Sequence, residues 1–391
     1  MDKNKWEYKK IKDICTSVED GDWIESQDQS VNGIRLIQTG NIGIGEYLDK
    51  CDKSKYISED TFERLNCKEI FAGDCLISRL PDPIGRACII PSMPLRMITA
   101  VDCSILRFKD FVLPSYFVHY TKSRSYNGDI NKYATGATRK RISRKNLEGI
   151  LIPVPSLSDQ QRIVAELDCL NEMIAVKQEQ LKEFDKFAQS IFYDMFGDGS
   201  WDIRKIKDVA TVKIGPFGSA LHQSDYISGG TPLVNPIHMV NGAIIADNDF
   251  TVSSDKIAEL QPYLLKTNDV VFGRRGDIGR CALVTEKECG YLCGTGSMYV
   301  RFTIDINPVY ALKILSSEET KKYLLDNAKG ATMLNINGGI VENIEIPLPP
   351  LELQQQFADK ISAIEAQKEL VKQSIAETQS LFDSRMDYYF N

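Results

Sequence analysis

Two stretches of the chain carry apolar side chains at helical spacing, and the first of them, residues 158–196, contains no Gly or Pro. In residues 158–196 the apolar positions alternate steps of four and three residues, at Ile163, Leu167, Leu170, Ile174, Leu181, Phe184, Ala188, Ile191 and Met195. Lys177 is the one polar residue in this stripe. A period of 3.5 residues keeps one face of a helix turned toward a partner helix, so the pattern predicts a coiled-coil seam. Ser158 with Gln161 predicts a capping box at the helix start, and Gly197 predicts its end.

A partner for this helix is predicted near the end of the chain. Residues 346–390 continue the same spacing at Ile361, Ile364, Val371 and Ile375, again with one polar exception, Lys368. The residues before this helix repeat those before the first: Ile152-Pro153-Val154-Pro155 and Gln160-Gln161 match Ile346-Pro347-Leu348-Pro349 and Gln354-Gln355, 194 positions later (346 − 152). The repeat predicts two related helices that pack as an antiparallel coiled coil. The alternative is two unrelated amphipathic surface helices, which would not explain the repeated prolines.

The rest of the chain repeats at nearly the same offset. The matched segments are Lys10-Ile11-Lys12-Asp13 with Lys205-Ile206-Lys207-Asp208, Gly73-Asp74 with Asn268-Asp269, Ile84-Gly85-Arg86 with Ile278-Gly279-Arg280, and Gly136-Ala137-Thr138 with Gly330-Ala331-Thr332. Short buried strands that run into polar turns are predicted within 33–42 and 230–239, and short helices near 57–65 and 308–326. The fold class is therefore α+β, with two tandem globular domains, each followed by a long helix. We expect globular domains at 1–152 and 198–346 and helical segments at 153–197 and 347–391.

Composition limits the possible functions. The 391 residues are 43% hydrophobic and 26% charged, with a net charge of −7, and no apolar run reaches the length of a membrane span. The acidic excess lies mainly on the two predicted helices, so the globular segments are near neutral and would bind nucleic acid only through local basic clusters. The ten cysteines form no CxxC pair, which predicts reduced thiols in a cytoplasmic protein. A zinc site at Cys289 and Cys293 is disfavoured because no second ligand pair follows.

Sequence signatures of catalysis are missing. The chain has three histidines and contains no Walker A sequence, no HExxH and no GxSxG. Asn307-Pro308-Val309-Tyr310 is close to a methyltransferase tetrapeptide, but its third residue differs and no glycine-rich cofactor loop precedes it, so a helix start explains it better. We therefore predict no catalytic residue, no metal and no cofactor.

Polar residues beside the repeated turns are the candidate binding residues. Arg can pair with guanine and Asn or Gln with adenine through two hydrogen bonds, whereas Lys is best suited to phosphates. The candidates are Gln38, Thr39, Asn41, Arg79, Thr138, Arg139, Lys140 and Arg141 in the first half, and Asn235, His238, Arg274, Arg275, Thr332 and Asn335 in the second. Arg79 and Arg274 occupy matched positions and could be phosphate anchors or structural. A solvated charged loop is the alternative for the basic stretch 138–145.

Over almost its full length, the sequence resembles a specificity subunit of a Type I restriction–modification enzyme. The resemblance is carried by the doubled Ile-Pro-x-Pro…Gln-Gln entry into long helices and by the doubled Asp and Ile-Gly-Arg segments. It implies two target-recognition domains that each read one half of a split double-stranded DNA sequence. It also implies two helices that act as a spacer and dock two methyltransferase subunits and, through them, nuclease subunits. Such a subunit has no catalytic activity of its own. Two alternatives stay open: a combined restriction and methylation enzyme, which the missing motifs oppose, and a protein scaffold that does not bind DNA.

Overall fold

The computed structural model describes residues 3, 6–136, 139–197, 199, 201–328 and 335–391. The chain forms two compact units, the first made of Met1–Glu179 with Lys372–Asn391 and the second of Gln180–Val371. Each unit combines helices and sheets, as the α+β prediction requires.

The first unit contains strands and short helices that precede a long helix. The strands are β1 (Glu7–Lys10), β2 (Cys15–Asp20), β3 (Gln29–Ser30), β4 (Ile34–Ile37), β5 (Lys55–Ile57), β6 (Glu69–Ile70), β7 (Cys75–Ser78), β8 (Ala87–Ile89), β9 (Met97–Thr99), β10 (Cys103–Phe108) and β11 (Leu151–Val154). The helices are α1 (Ile11–Ile14), α2 (Glu59–Leu65), α3 (Pro114–Tyr120), α4 (Arg124–Tyr133) and α5 (Arg144–Glu148). They are followed by the long α6 (Leu157–Phe196), which belongs to the first unit up to Glu179.

The second unit has a similar order of elements, with an additional short strand pair at residues 239–244. Its strands are β12 (Asp202–Lys205), β13 (Ala210–Ile214), β14 (Tyr226–Ile227), β15 (Thr231–Val234), β16 (Met239–Val240), β17 (Ala243–Ile244), β18 (Thr251–Val252), β19 (Val270–Gly273), β20 (Cys281–Leu283), β21 (Leu292–Cys293), β22 (Ser297–Phe302) and β23 (Glu345–Leu348). Its helices are α7 (Ile206–Val209), α8 (Ser254–Glu259), α9 (Pro308–Leu315), α10 (Glu318–Asn327) and α11 (Gly338–Glu342). They are followed by the long α12 (Leu351–Phe390), which belongs to the second unit up to Val371.

In each unit a four-stranded antiparallel sheet packs against a second, mixed sheet. The antiparallel sheets have the orders β2-β10-β7-β8 and β13-β22-β19-β20, and the mixed sheets have the orders β3-β5-β4-β9-β6 and β14-β18-β15-β21. Within the mixed sheets, β4 runs parallel to β9 and β15 runs parallel to β21. The short pairs β1–β11 and β12–β23 bring the start of each globular region to the strand that precedes a long helix.

The four-stranded antiparallel sheet of each unit, called the central sheet below, is buried on both faces because its side chains alternate between two apolar clusters. Cys75 and Ile77 of β7 face a cluster formed with α3 and α4, whereas Leu76 joins a different cluster with Ile37 of β4. Alternation with a period of two is what a strand requires when helices cover one face and another sheet covers the other. In the second unit Val270 and Phe272 lie on one side and Val271 on the other.

The repeated glutamine before each long helix fixes the helix to its globular region. Gln160 is fully buried; its Oε1 accepts from Leu113 N at 2.8 Å, and its Nε2 donates to the carbonyl of the second motif proline at 2.9 Å. Gln354 does the same in the second unit, at 2.9 Å from Asn307 N and 2.8 Å from the proline carbonyl. A buried amide of this kind is satisfied only when both partners are in place. The motif therefore joins helix and globular region.

Some sequence predictions of local structure need correction, and others are confirmed. The first long helix begins at Leu157 with Ser156 as its cap, since Ser156 Oγ accepts from Asp159 N at 3.2 Å, so the predicted cap at Ser158 is wrong. The helix ends before Gly197, as predicted. The segment from Asn307 is a helix start: its Oδ1 caps the first turn of α9.

Candidate nucleic-acid interface

The turns after β4 and β15 are built alike from different side chains. In the first unit Gln38 N donates to Asn41 Oδ1 at 3.0 Å, and in the second Asn235 N donates to His238 Nδ1 at 3.1 Å. Asn41 and His238 are buried at 7% and 5% exposure, and burial lowers the pKa of His238 below its usual value. These two side chains therefore hold the turn. Gln38, Thr39 and Asn235 are half-buried beside them.

The arginines of the repeated Ile-Gly-Arg segments brace these turns, a role that the sequence analysis did not assign to them. Arg86 Nη2 donates to Thr39 O at 2.8 Å and its Nε donates to Ile42 O at 2.6 Å. Arg280 Nη1 donates to Pro236 O, the matching carbonyl in the second unit, at 3.2 Å. The signal in the sequence was their matched spacing, which indicates a shared structural role.

Arg79 and Arg274 follow the central strands β7 and β19 and are mostly turned into the fold. They are 4% and 9% exposed, and burial lowers the pKa of both guanidinium groups. Arg79 Nη2 donates to Val101 O and lies 3.6 Å from Asp20 Oδ1, whereas Arg274 Nε donates to Asn335 Oδ1 at 3.2 Å. These partners favour a structural role for Arg79 and Arg274 over a role as phosphate anchors.

The basic loop that follows α4 presents exposed cations. Arg139, Lys140 and Arg141 are exposed, and Arg141 Nη2 lies 3.4 Å from Asp102 Oδ1. In the second unit exposed Arg275 pairs through its backbone with half-buried Asn335. The candidates Thr138 and Thr332 lie outside the described residues.

The ends of four strands meet at one edge of each unit and bring these residues together. In the first unit β2 and β7 both run antiparallel to β10, and β4 runs parallel to β9, so β2 and β7 end at one edge of their sheet and β4 and β9 at one edge of theirs. A backbone bond joins the two sheets there, as Asp22 N donates to Thr99 O at 2.9 Å. Within the mixed sheet, Ala100 N donates to Ile37 O at 3.0 Å and extends the pairing of β9 with β4. We call this the strand-end edge. This edge carries the turn at Gln38, the side chain of Arg79, and Asp102, which pairs with Arg141 of the basic loop.

The second unit has its own strand-end edge with similar connections. Gly294 N donates to Val234 O at 2.9 Å, and Gly296 N donates to Asn235 Oδ1 at 3.2 Å. Arg274 N donates to Gly296 O at 3.0 Å. The scaffold of the edge is therefore repeated, while the side chains on it differ between the units.

The predicted seam residues lie on the long helices with their side chains buried or half-buried. Ile163, Leu167, Leu170, Ile174 and Ile364 are buried, and Leu181, Ile361, Val371 and Ile375 are half-buried. In the first unit Arg385 Nη2 of α12 donates to Glu166 Oε2 of α6 at 2.9 Å. In the second unit the rings of Phe192 and Phe357 lie 5.7 Å apart. The two long helices thus contact each other within each unit.

The two polar exceptions in the stripe have partners on the facing helix. Lys177 Nζ donates to Thr378 Oγ1 at 2.8 Å and to Ser374 O at 3.3 Å in the first unit. Lys368 Nζ donates to Asp185 Oδ1 at 2.8 Å in the second. Each lysine is therefore hydrogen-bonded across the helix pair, which explains why the stripe can contain it.

The described residues form neither a metal site nor a membrane-spanning helix. No group of three or more His, Cys, Asp or Glu side chains in that part of the chain could hold a metal ion. Within the same residues, no helix is both long and apolar enough to cross a membrane.

Comparison with known sequences gives one family for both halves of the chain. The model of the family described as Type I restriction modification DNA specificity domain matches residues 3–184 and again residues 199–379. The StySPI specificity subunit of Salmonella potsdam is 21% identical over 72% of this chain and 65% of its own length. The MjaIX specificity subunit of Methanocaldococcus jannaschii is 22% identical over 90% of this chain and 85% of its own length. The chain thus spans slightly less than two thirds of the first relative and most of the second.

Two solved structures share the fold. A chain from a study of complex assembly and conformational transition of the type I R-M system superposes with a TM-score of 0.65 at 17% identity, covering 99% of this chain and 97% of that one. The Type-I restriction-modification system S subunit from M. genitalium superposes with a TM-score of 0.53 at 14% identity, covering 98% of this chain and 95% of that one.

Proposed function

The chain belongs to the Type I restriction modification DNA specificity family, and from this premise we propose that it is the non-catalytic DNA-recognition subunit of a Type I restriction–modification complex. It reads a bipartite double-stranded target in the cytoplasm, with one domain for each half-site. The recognition domains are residues 1–152 and 198–346, and the helical spacers are residues 153–197 and 347–391.

The observation that carries this proposal is the strand-end edge, built twice on one scaffold with different side chains. The arginines that support the turns are matched. Arg86 donates to Thr39 O in the turn after β4, and Arg280 donates to Pro236 O in the equivalent turn after β15. The residues presented beside them are not matched, with Gln38 in one unit and Asn235 in the other. Amide side chains discriminate bases, whereas a shared scaffold fixes the approach to the duplex. Two half-sites of different sequence are therefore expected.

The cations at these edges suit a contact with DNA. Arg139, Lys140 and Arg141 are exposed in the first unit and Arg275 in the second, where each can reach a phosphate or a base. They are few, and the chain carries a net charge of −7, so its long-range attraction for DNA is weak. We therefore propose that tight binding requires assembly with the methyltransferase subunits, which would enclose the duplex.

We also propose that the two long helices pack as an antiparallel coiled coil and that their outer faces dock methyltransferase subunits, and through these the nuclease subunits. Two contacts between α6 and α12 support this packing: Glu166 with Arg385 in one unit, and Phe192 with Phe357 in the other. Exposed apolar side chains on the helices support the docking, at Met173, Val176, Phe187, Leu370 and Leu381. Large exposed apolar side chains on a helix suit a protein partner.

A domain exchange tests the proposed function. Residues 1–150 are replaced by the equivalent domain of another specificity subunit, and the methylome of cells that express each complex is sequenced. The expected result is a target in which one half-site changes and the other is retained. A change in both half-sites, or a wild-type complex whose DNA binding does not weaken as salt rises, contradicts the proposal, because phosphate contacts release counterions.

A further inference from the structure

Two large aromatic side chains stand exposed at matched positions of the two units. Trp23 is 69% exposed and Phe217 is 67% exposed, and they lie 194 positions apart (217 − 23), the offset of the helix-entry repeat. Each follows the first strand of the central sheet by three residues, after β2 and β13. Trp23 Nε1 donates to Glu25 Oε1 at 3.2 Å, which leaves the faces of the indole ring uncovered by this bond.

A tightly packed glycine fixes the backbone just before each aromatic residue. Gly21 N donates to Cys103 O at 3.0 Å, and Gly215 N donates to Ser297 O, the matching carbonyl, also at 3.0 Å. A Cβ on Gly21 would lie 2.4 Å from the carbonyl oxygens of residues 99 and 100, and one on Gly215 would lie 2.0 Å from Gly294 O. Such distances exclude any side chain, so the chain is held against the neighbouring strand end and turns the next residues outward.

Both aromatic residues begin at the strand-end edge. Asp22, next to Trp23, is bonded to the strand end at Thr99, and Asp20 lies 3.6 Å from Arg79 and 3.7 Å from Arg144. Gly215, two residues before Phe217, packs on Gly294, whose amide is bonded to the end of β15. The aromatic rings and the candidate base-reading turns therefore project from the same edge in each unit.

We propose that Trp23 and Phe217 are paired DNA-contacting residues, each placing an apolar ring against the base pairs of its own half-site. This rests on the proposed function and adds residues that the repeat of polar side chains did not indicate. Apolar side chains contact thymine methyl groups or insert between base steps. Exposed arginines at this edge, Arg141 in the first unit and Arg275 in the second, supply positive charge that attracts a duplex. A ring that faces water in the free protein gains burial only when the duplex is bound.

Binding of the assembled complex to its target duplex tests this inference. The complex contains the full chain and its methyltransferase subunits, the target is taken from the methylome, and affinity is measured by fluorescence anisotropy at several salt concentrations. We expect Trp23→Ala and Phe217→Ala each to weaken binding about tenfold or more. Trp23→Phe and Phe217→Trp should retain most of the affinity. The slope of log affinity against log salt should stay unchanged, because no phosphate contact is removed.

Matched controls are available on the strands that pair next to the long helices. Tyr8 and Ile203 are 66% and 57% exposed and occupy equivalent positions of β1 and β12. Tyr8→Ala and Ile203→Ala should bind the duplex within about twofold of wild type. Alanine variants of Trp23 and Phe217 that bind as tightly as wild type overturn the inference, as does a loss confined to assembly with the methyltransferase subunits. If the wild-type complex itself fails to bind DNA, the proposed function fails first.

Discussion

Asp74 accepts two hydrogen bonds from the guanidinium of Arg107, with Nε 2.9 Å from Oδ1 and Nη2 2.8 Å from Oδ2. The second unit contains the same pair, in which Arg301 Nε and Nη2 lie 2.7 and 2.6 Å from the two oxygens of Asp269. Asp74 also accepts from Phe71 N at 3.0 Å, so one carboxylate closes a turn and holds a neighbouring strand. The repeated Asp is therefore part of the scaffold.

Removing this carboxylate should destabilise the first unit. Asp74 is 7% exposed, and its hydrogen bonds raise the pKa of Arg107, which would lose its charged partner. We expect Asp74→Ala to lower the free energy of unfolding by about 2–3 kcal/mol, measured by urea denaturation. Asp110→Ala, at an exposed aspartate, is the control and should change stability by less than about 0.5 kcal/mol. Equal stability of the two variants would contradict the scaffold role.

A charge in the helix seam should be costly. Leu167 is fully buried in the apolar cluster formed with α3 and α4. Leu167→Asp would therefore place a carboxylate without a partner among apolar side chains. We expect the free energy of unfolding to fall by more than about 4 kcal/mol, or the protein to become insoluble. Val176→Asp on the same helix is the control, because Val176 is 63% exposed and its substitution should leave the melting temperature nearly unchanged. A Leu167→Asp protein with wild-type melting and partner binding would refute the seam.

Acid should destabilise the second unit through His238. Burial lowers its pKa, so below the unfolded value of about 6.5 the unfolded chain binds a proton that the folded chain resists. Stability is then lost as the pH falls from the unfolded pKa toward the folded one. His238→Asn keeps the turn, because Asn41 makes the equivalent bond to Gln38, and should reduce the loss between pH 7.5 and 5.5. Urea midpoints at both pH values measure this effect.

The control for this pH dependence is a second histidine of the same unit. His222 is exposed, so His222→Asn should leave the loss between the two pH values as it is in wild type. His119 remains in both variants, and burial lowers its pKa as well, so some acid sensitivity should persist in each. A His238→Asn protein that loses as much stability as wild type would show that this ring does not set the pH dependence.

Specificity should be separable at single residues of the two turns. We expect Asn235→Ala to relax the target only in the half-site read by the second domain, and Gln38→Ala only in the other, each by about 1–3 kcal/mol at one position. Methylome sequencing of both variants measures this. Asn235 Oδ1 also accepts a hydrogen bond from Gly296 N, so the melting temperature of the Asn235→Ala protein is compared with that of wild type. A uniform loss at both half-sites would indicate a scaffold role.

The architecture could be predicted because its signals are local and repeated. The stripe through Ile163 and Leu167 predicted a helix at 158–196, and the structure has Leu157–Phe196. The turns after the buried strands at Ile34–Ile37 and Thr231–Val234 lie where they were expected. Helix periodicity and turn residues act over a few positions, so a sequence is enough to recognise them. The spacing of the repeat then reveals the tandem units.

The repeat in the sequence identifies which positions of the two halves are equivalent, but the direction in which each side chain faces depends on the folded chain. Nothing in the sequence shows that Arg79 and Arg86 point into the fold, where Nη2 of each donates to a backbone carbonyl. Trp23 gave no polar signal, yet it stands exposed because Gly21 packs on a distant strand end. Burial, hydrogen-bond partners and projection depend on residues far apart in the chain, and a pattern of neighbouring positions cannot contain those contacts.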